Sequence, residues 1–287
     1  MESPRVHEAN ADQAVYWSGA AGQRWSERQE TLDVVLEPIQ AILLDRAAVA
    51  AGERAIDIGC GCGASSLALA QRVGPAGRVT ALDISPPMLA RARERAPADL
   101  PLEFVLADAT VHAFEPGAAD LLMSRFGVMF FSNPVLSFRN MRKGLRPGGR
   151  VAFACWRALD ANPWMHVALR EALEHVAAPP RSGPDEPGPF AFAREERVRG
   201  ILDGAGFSNV GMEAVDLALD LAAGRGLDAA VSGALAIGPV RRALEGQPPE
   251  VLDKVESAVR AALAPRQHGA TVPLGASVWI ATAVNAG

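Results

Sequence analysis

The segment Asp57-Ile58-Gly59-Cys60-Gly61-Cys62-Gly63 places a carboxylate two residues ahead of three alternate glycines. Glycines so spaced let a backbone turn tightly and let a ligand approach within contact distance. A helix predicted to follow offers unpaired N–H groups and the positive end of its dipole, which suit a carboxylate or phosphate. One strand later Asp83 stands where a carboxylate accepts hydrogen bonds from a ribose diol. Two ligand classes fit these residues. Gly59, Gly61 and Ala64 match the dinucleotide pattern G-x-G-x-x-G/A. Against that, Asp57 would meet a diphosphate with like charge, whereas it attracts a ligand carrying an ammonium and a sulfonium. Gly63, rather than a glycine one position later, points the same way. A loop that merely closes a strand–helix turn leaves Asp57 and Asp83 unexplained.

Elements of alternating type must hold these residues. Short apolar strands are expected at Arg54–Ile58, Arg78–Leu82, Leu102–Ala107, Ala119–Ser124 and Arg150–Trp156. Helices are expected between them: Ala64–Val73, Pro86–Ala96 with Ser85 as N-cap, and Pro134–Leu145, the last stopped by the turn Arg146-Pro147-Gly148-Gly149. Strand–helix–strand repetition implies parallel strands with right-handed crossovers, hence a doubly wound, Rossmann-like α/β sheet whose ligands sit beyond the carboxyl ends of the strands. Residues 1–50 read as a helical N-terminal cap with Leu32, Val35, Leu36, Ile39, Ile42 and Leu43 on one stripe; Pro38 should kink that helix or make it begin near Leu36. Residues 160–193, with Pro179-Pro180, Gly183-Pro184 and Pro187-Gly188-Pro189, read as a loop-rich insertion. Arg194–Ala205 is a further helix, Val210–Leu219 and Val272–Val284 are further strands, and 228–264 is helical filler. One domain over 1–287 results: core 51–157, elaborations 158–193 and 224–268, and a C-terminal part of the sheet in 194–223 and 271–285.

The 287 residues are 49% hydrophobic, enough for a substantial core, with a formal charge of −5. A protein gripping phosphate backbones usually carries a basic face, so nucleic acid is not an expected partner. No apolar run reaches the roughly 18 residues of a membrane span. The polar start Met1–Glu8 lacks a secretory stretch, and three cysteines make no disulfide framework. A cytoplasmic protein is expected, of undetermined oligomeric state, with a homodimer one option.

The stretch from about 51 to 156 resembles the class I S-adenosylmethionine-dependent methyltransferases, a bacterial small-molecule branch of them in particular. The resemblance rests on Asp57–Gly63, on Leu82-Asp83-Ile84-Ser85, on Leu106-Ala107-Asp108-Ala109, and on Asp120-Leu121-Leu122-Met123-Ser124 followed by Leu145-Arg146-Pro147-Gly148-Gly149. Tyr16-Trp17-Ser18-Gly19, Arg24-Trp25 and Asn162-Pro163-Trp164 look like that branch too. The resemblance implies a seven-stranded, mostly parallel sheet with an antiparallel last strand. It implies that Asp57, Gly59, Cys60, Gly61 and Gly63 line the amino-acid and ribose part of S-adenosylmethionine and that Asp83 binds the ribose. Ile84 and Met88 would pack on adenine, with Asp108 accepting from its amine and the Ala109 N–H nearby. Ser124 and Arg125 would face the methionine end or the acceptor, and the Trp17–Trp25 segment would close over the ligand.

Methyl transfer from a sulfonium is an in-line displacement that asks chiefly for positioning and exclusion of water. A base is needed only for a protonated acceptor; His166 is the candidate, and Arg125 an anchor for an acidic one. Ser124-Arg125-Phe126-Gly127 replaces the Asn/Asp-Pro-Pro-aromatic run of amino-methylating relatives, which favours oxygen or carbon as acceptor atom. No acidic cluster suggests a metal. Trp17, Trp25, Phe126, Phe130, Phe131, Trp156 and Trp164 together suggest an apolar pocket for a small organic molecule. A nicotinamide-dependent oxidoreductase, or a binding protein without methyl transfer, are the alternatives.

Overall fold

The computed structural model describes residues 5–178, 183, 185–236 and 238–287; Met1–Pro4, Pro179-Pro180 and Pro184 of the sequence reading lie outside them. The five expected strands of the core are β1 (Arg54–Ile58), β2 (Arg78–Asp83), β3 (Leu102–Leu106), β4 (Ala119–Arg125) and β5 (Leu145–Trp156). With β6 (Phe207–Asp220) and β7 (Pro273–Asn285) they form one seven-stranded sheet in the order β3-β2-β1-β4-β5-β7-β6. β1 to β5 pair in parallel, and β7 runs antiparallel to both β5 and β6. This is the expected mostly parallel sheet with its last strand reversed. The near-continuous apolar character of Ala55–Ile58 and Leu121–Met123 follows from their place at the centre, covered on both faces.

Between β1 and β4 the strand order changes direction, which opens a crevice at their carboxyl ends. The register fixes what meets there. Ile58 pairs with Leu82, so Gly59 and Asp83 leave the sheet side by side. Asp57 pairs with Met123, which brings Ser124-Arg125-Phe126 alongside the start of the glycine loop.

The N-terminal cap is helical as expected: α1 (Ala11–Ser18), α2 (Ala20–Glu27) and α3 (Gln29–Arg46). However, α3 runs unbroken through Pro38. An internal proline costs about 3 kcal/mol. Burial of Leu32, Val35, Leu36, Ile39 and Leu43 along one face offsets it, at about 1.5–3 kcal/mol per side chain. In the core follow α4 (Ala64–Val73), α5 (Pro86–Arg95) and α6 (Pro134–Arg142). The Arg146–Gly149 turn lies inside β5 as an irregularity: Leu145 pairs with Ala119 and Arg150 with Leu121, and the residues between loop out. Ser85 caps α5 by position only, because its hydroxyl donates instead to the Trp17 carbonyl at 2.6 Å.

Residues 163–173 of the expected loop-rich insertion form a packed helix, α7 (Pro163–Leu173), with Trp164, Met165, Val167, Ala168, Leu169 and Ala172 buried. Pro163 occupies its first turn, where a missing N–H is harmless. The remaining helices are α8 (Glu195–Gly204), α9 (Leu227–Ala236), α10 (Gly238–Ala243) and α11 (Pro249–Leu263). Among the described residues no helix is long and apolar enough to cross a membrane.

Candidate functional site

A cavity of about 1160 Å³ fills the crevice and extends under α1, α2, α7 and α10. Small-molecule sites usually measure roughly 300–1,000 Å³, so there is room for two molecules. Its inner half is bounded by the glycine loop, Asp83, Ile84, Met88, Asp108, Ala109 and Arg125; its outer half combines an aromatic cluster with aliphatic side chains and with charged ones such as Arg170, Glu174, Glu186 and Arg241.

The glycine loop is held by its own protein. Gly59, Gly61 and Gly63 all have positive φ, at 63°, 56° and 86°. At Gly59 a side chain is also excluded by space, because its Cβ would lie 2.7 Å from the Gly127 Cα. That close approach joins the ends of β1 and β4. The Cys60 N–H donates to the Leu82 carbonyl at 3.1 Å, the Gly61 N–H to Asp83 Oδ2 at 2.7 Å, and the Gly63 N–H to the Cys60 carbonyl at 3.0 Å. Gly63 is the left-handed N-cap of α4 and does not border the cavity.

Asp57, expected at the ligand, lies behind the cavity wall and is fully buried. Its Oδ2 accepts from the Ser65 and Ser66 hydroxyls, both at 2.7 Å, on the first turn of α4. Its Oδ1 has no partner. Burial pushes the carboxyl up to about 6, against the pull of the two hydroxyls and of Arg125. A carboxylate thus already occupies the positive end of the α4 dipole. Asp83 does face the cavity. Burial raises it too, opposed by N–H donors from Ser85, at 2.8 Å to Oδ1, and from Gly61. The Ile84 N–H adds to that opposition.

Asp108 borders the cavity, yet its acceptor sites are filled. Asn10 Nδ2 donates to both oxygens at 3.0 Å, the Thr110 N–H to Oδ1 at 2.9 Å and the His7 N–H to Oδ2 at 3.0 Å. Asn10 in turn accepts from the Ser132 N–H at 3.1 Å. An adenine amine therefore finds no free acceptor on Asp108 in this arrangement, and the carboxylate instead moors the N-terminal segment. Ser124 is likewise not a ligand-facing group: its hydroxyl donates to the Ile58 carbonyl at 2.7 Å and accepts from the Gly127 N–H at 3.2 Å. Both serve the β1–β4 junction.

Arg125 borders the cavity with Nη1 unpartnered and Nη2 3.9 Å from Asp33. Asp33 is itself engaged by Arg95 at 2.6 Å and by Gln29 at 2.6 Å. Burial lowers the Arg125 pKa, with Asp33 and Asp57 opposing the shift. Cys60 and Cys62 are buried at the loop; burial raises the Cys62 thiol to about 11 and the Cys60 thiol well above its ordinary value, so neither is a nucleophile. Met88 packs with its Cε over Gly61, and Ile84 and Ala109 complete that wall.

In the outer half, Trp17 stands edge-on to Phe130 at 5.0 Å and to Trp25 at 6.2 Å. Phe126 stacks on Trp156 at 4.2 Å, and Trp156 meets Trp164 at 4.9 Å. His166, on α7, is the only histidine bordering the cavity among the described residues. Asn10, Asp33 and Gly127 were not singled out in the sequence, although the glycine two residues beyond the β4 end was a readable sign.

The family model described as a methyltransferase domain matches residues 55–149. The chain is 27% identical over 158 residues to 2-methyl-6-phytyl-1,4-hydroquinone methyltransferase of Synechocystis sp., covering 53% of this chain and 48% of that one. It is 34% identical over 118 residues to aklanonic acid methyltransferase of Streptomyces sp., covering 40% and 54%. The chain thus spans about half the length of these curated relatives. Phosphoethanolamine N-methyltransferase 2 of Haemonchus contortus, solved with phosphomonomethylethanolamine and S-adenosylhomocysteine, superposes with a TM-score of 0.52 at 19% identity, over 86% of this chain and 52% of that one.

Proposed function

We propose that this chain, whose residues 55–149 match the methyltransferase-domain model, is a class I S-adenosylmethionine-dependent methyltransferase that binds S-adenosylmethionine in the inner half of the cavity and moves its methyl group to a small organic acceptor in the outer half. The carrying observation is the placement of Asp57. A dinucleotide site presents loop N–H groups and a helix N-terminus to a diphosphate. Here the N–H groups of Cys60, Gly61 and Gly63 are spent on protein acceptors, and a buried carboxylate on Ser65 and Ser66 already fills the anion seat of α4. A diphosphate would be repelled. A nucleoside bearing a sulfonium and an ammonium is attracted by the same charge. The nicotinamide alternative fails on this point.

The residues fit the cofactor part by part. Asp83 borders the cavity and would accept from the ribose diol. Met88 and Ile84 offer an apolar wall for adenine, with Ala109 beside it. Arg125, buried and underpaired, suits the carboxylate of the amino-acid end. When bound, S-adenosylmethionine supplies a methyl carbon to which the acceptor's oxygen or carbon bonds as the carbon–sulfur electron pair returns to sulfur. Oxygen or carbon is favoured because the loop after β4 lacks the Asn/Asp-Pro-Pro-aromatic run. The chain's own part is to align acceptor and methyl and to keep water out behind Trp17, Trp25 and Phe130. His166 is placed to take the acceptor's proton where there is one.

Calorimetric titration of the purified chain with S-adenosylmethionine, S-adenosylhomocysteine and NADH tests this. The first two should bind in the micromolar range and NADH should not. Binding of NADH with none of S-adenosylmethionine overturns the reading. Isotope transfer from labelled methyl donor to a panel of phenols and carboxylic acids then tests turnover.

A further inference from the structure

Phe126 is the residue next to Arg125, and its backbone is in the left-handed region at φ 70°. For a bulky non-glycine residue this is a strained state that persists only where the surroundings enforce it. What enforces it is visible on both sides. The next residue, Gly127, is pressed against Gly59, where a Cβ on either glycine would lie 2.7 Å from the other's Cα. The Phe126 N–H donates to the Ala154 carbonyl at 3.0 Å, which pins it to β5. The backbone at Phe126 is thereby tied to the glycine loop, and its ring cannot drift relative to a ligand seated there.

The strained turn lays the ring on Trp156, with centroids 4.2 Å apart and planes 7° from parallel. Aromatic pairs more often meet edge-on or further apart. Trp156 is nearly enclosed, its other ring neighbour being Trp164. The ladder Trp164–Trp156–Phe126 is therefore closed at one end by Trp164 and ends at Phe126. Phe126 is only half-buried and borders the cavity, and it makes no further ring contact among the described residues. The partly exposed ring of Phe126 thus ends the stack at the cavity, where a second molecule would lie beside the methyl donor.

We infer that Phe126 is a specificity-determining residue and that the acceptor is a planar aromatic or quinonoid molecule that extends this stack. This deepens the reading above and rests on it, since the platform matters only beside a bound donor. A saturated molecule of equal size would gain burial but not the stacking, which adds affinity beyond area.

The test uses the full chain saturated with S-adenosylhomocysteine, titrated with 2-naphthol and with its saturated analogue decahydro-2-naphthol while tryptophan emission is followed. The wild type should bind 2-naphthol at least threefold more tightly and with quenching of emission. Phe126→Leu should bind the two alcohols equally, and Phe126→Tyr should retain the preference. Phe126→Gly relieves the backbone strain, so it folds even if Phe126→Leu does not, and it too should lose the preference. Affinity for S-adenosylhomocysteine should stay within twofold in all variants. Equal binding of the two alcohols by the wild type, or an undiminished preference in Phe126→Gly, overturns the inference. Loss of S-adenosylhomocysteine binding by the wild type would instead refute the donor site, and the two failures are distinguishable.

Discussion

Replacing Asp57 by asparagine should stabilise the ligand-free protein above neutral pH while weakening donor binding. Burial moves this carboxyl from an ordinary 3.8 to about 6, which at 1.36 kcal/mol per pH unit is about 3 kcal/mol. The sign follows from the raised pKa. Between about pH 4 and pH 6 the folded protein holds a proton that the unfolded chain has released. Stability therefore falls as pH rises through that window, and the loss is complete above about pH 7. Asparagine does not titrate. It keeps the hydrogen bonds from Ser65 and Ser66 but puts an N–H₂ where Oδ1 has no partner, at a cost of about 1 kcal/mol. The variant should be about 2 kcal/mol more stable than wild type at pH 8 and about 1 kcal/mol less stable at about pH 3. Chemical denaturation of both proteins across this range measures the difference directly, and titrations common to both cancel. Curves that stay parallel at every pH would show that Asp57 is not held charged against its burial. Added ligand should reverse the order. S-adenosylmethionine, which has the extra positive charge, should lose more affinity than S-adenosylhomocysteine, by ~1–2 kcal/mol.

Four further perturbations probe the parts around it. Gly127→Ala forces a Cβ to within 2.7 Å of both the Gly59 Cα and the Ile58 carbonyl oxygen, and it should destabilise the fold by about 1–3 kcal/mol; an unchanged melting temperature would remove the β1–β4 junction from the account. Asp83→Ala should weaken S-adenosylmethionine binding by about 1–3 kcal/mol, and a change of a few tenths refutes the ribose contact. Arg125→Met should leave ligand-free stability nearly unchanged, because the guanidinium is underpaired, yet lower donor affinity by about 1.5–3 kcal/mol; an equal loss for a donor analogue lacking the carboxylate would place that contact elsewhere. Asn10→Ala removes the bonds to Asp108, Thr110 and Ser132. It should raise hydrogen exchange across residues 7–27 with the sheet unaffected, and uniform protection would mean that the N-terminal segment is held by its tryptophans alone.

What was legible in the sequence is what short stretches decide. The strand–glycine loop–helix unit, Asp83 at the end of β2 and the antiparallel C-terminal strand follow from apolar runs, turn residues and family spacing over a few tens of residues. The misread positions depend on partners far along the chain. Asp108 looks like a free carboxylate until Asn10, 98 residues away, takes both its oxygens. Ser124 looks like a ligand group until its hydroxyl meets the Ile58 carbonyl, 66 residues away. Asp57 was expected at the ligand, whereas it lies behind the cavity wall, since nothing local says that Ser65 and Ser66 fold back over it. The length of α3 was masked by a strong local signal: Pro38 argues for a break, and only the buried face of the helix argues against it.

The two halves of the cavity differ in how they are encoded, and this bears on what each can recognise. The donor half is made by adjacent strand ends of one sheet, so its groups are fixed by register and its polar atoms are largely satisfied before any ligand arrives. The acceptor half is assembled from α1, α2, the turn after β4, α7 and α10, which meet only in the finished fold. Its rings interact with little dependence on direction, apart from the Phe126–Trp156 stack, which a strained backbone holds in place. Changes in α7 or α10 can alter the outer chamber while the strand ends keep their register. Side-chain changes at Phe126 leave the strand ends in register too, but they must fit a left-handed turn fixed by Arg125 on one side and the Gly127–Gly59 contact on the other. Selection for a new acceptor would accordingly act first on α7 and α10, and the plane offered by Phe126 would be the last feature of the chamber to change.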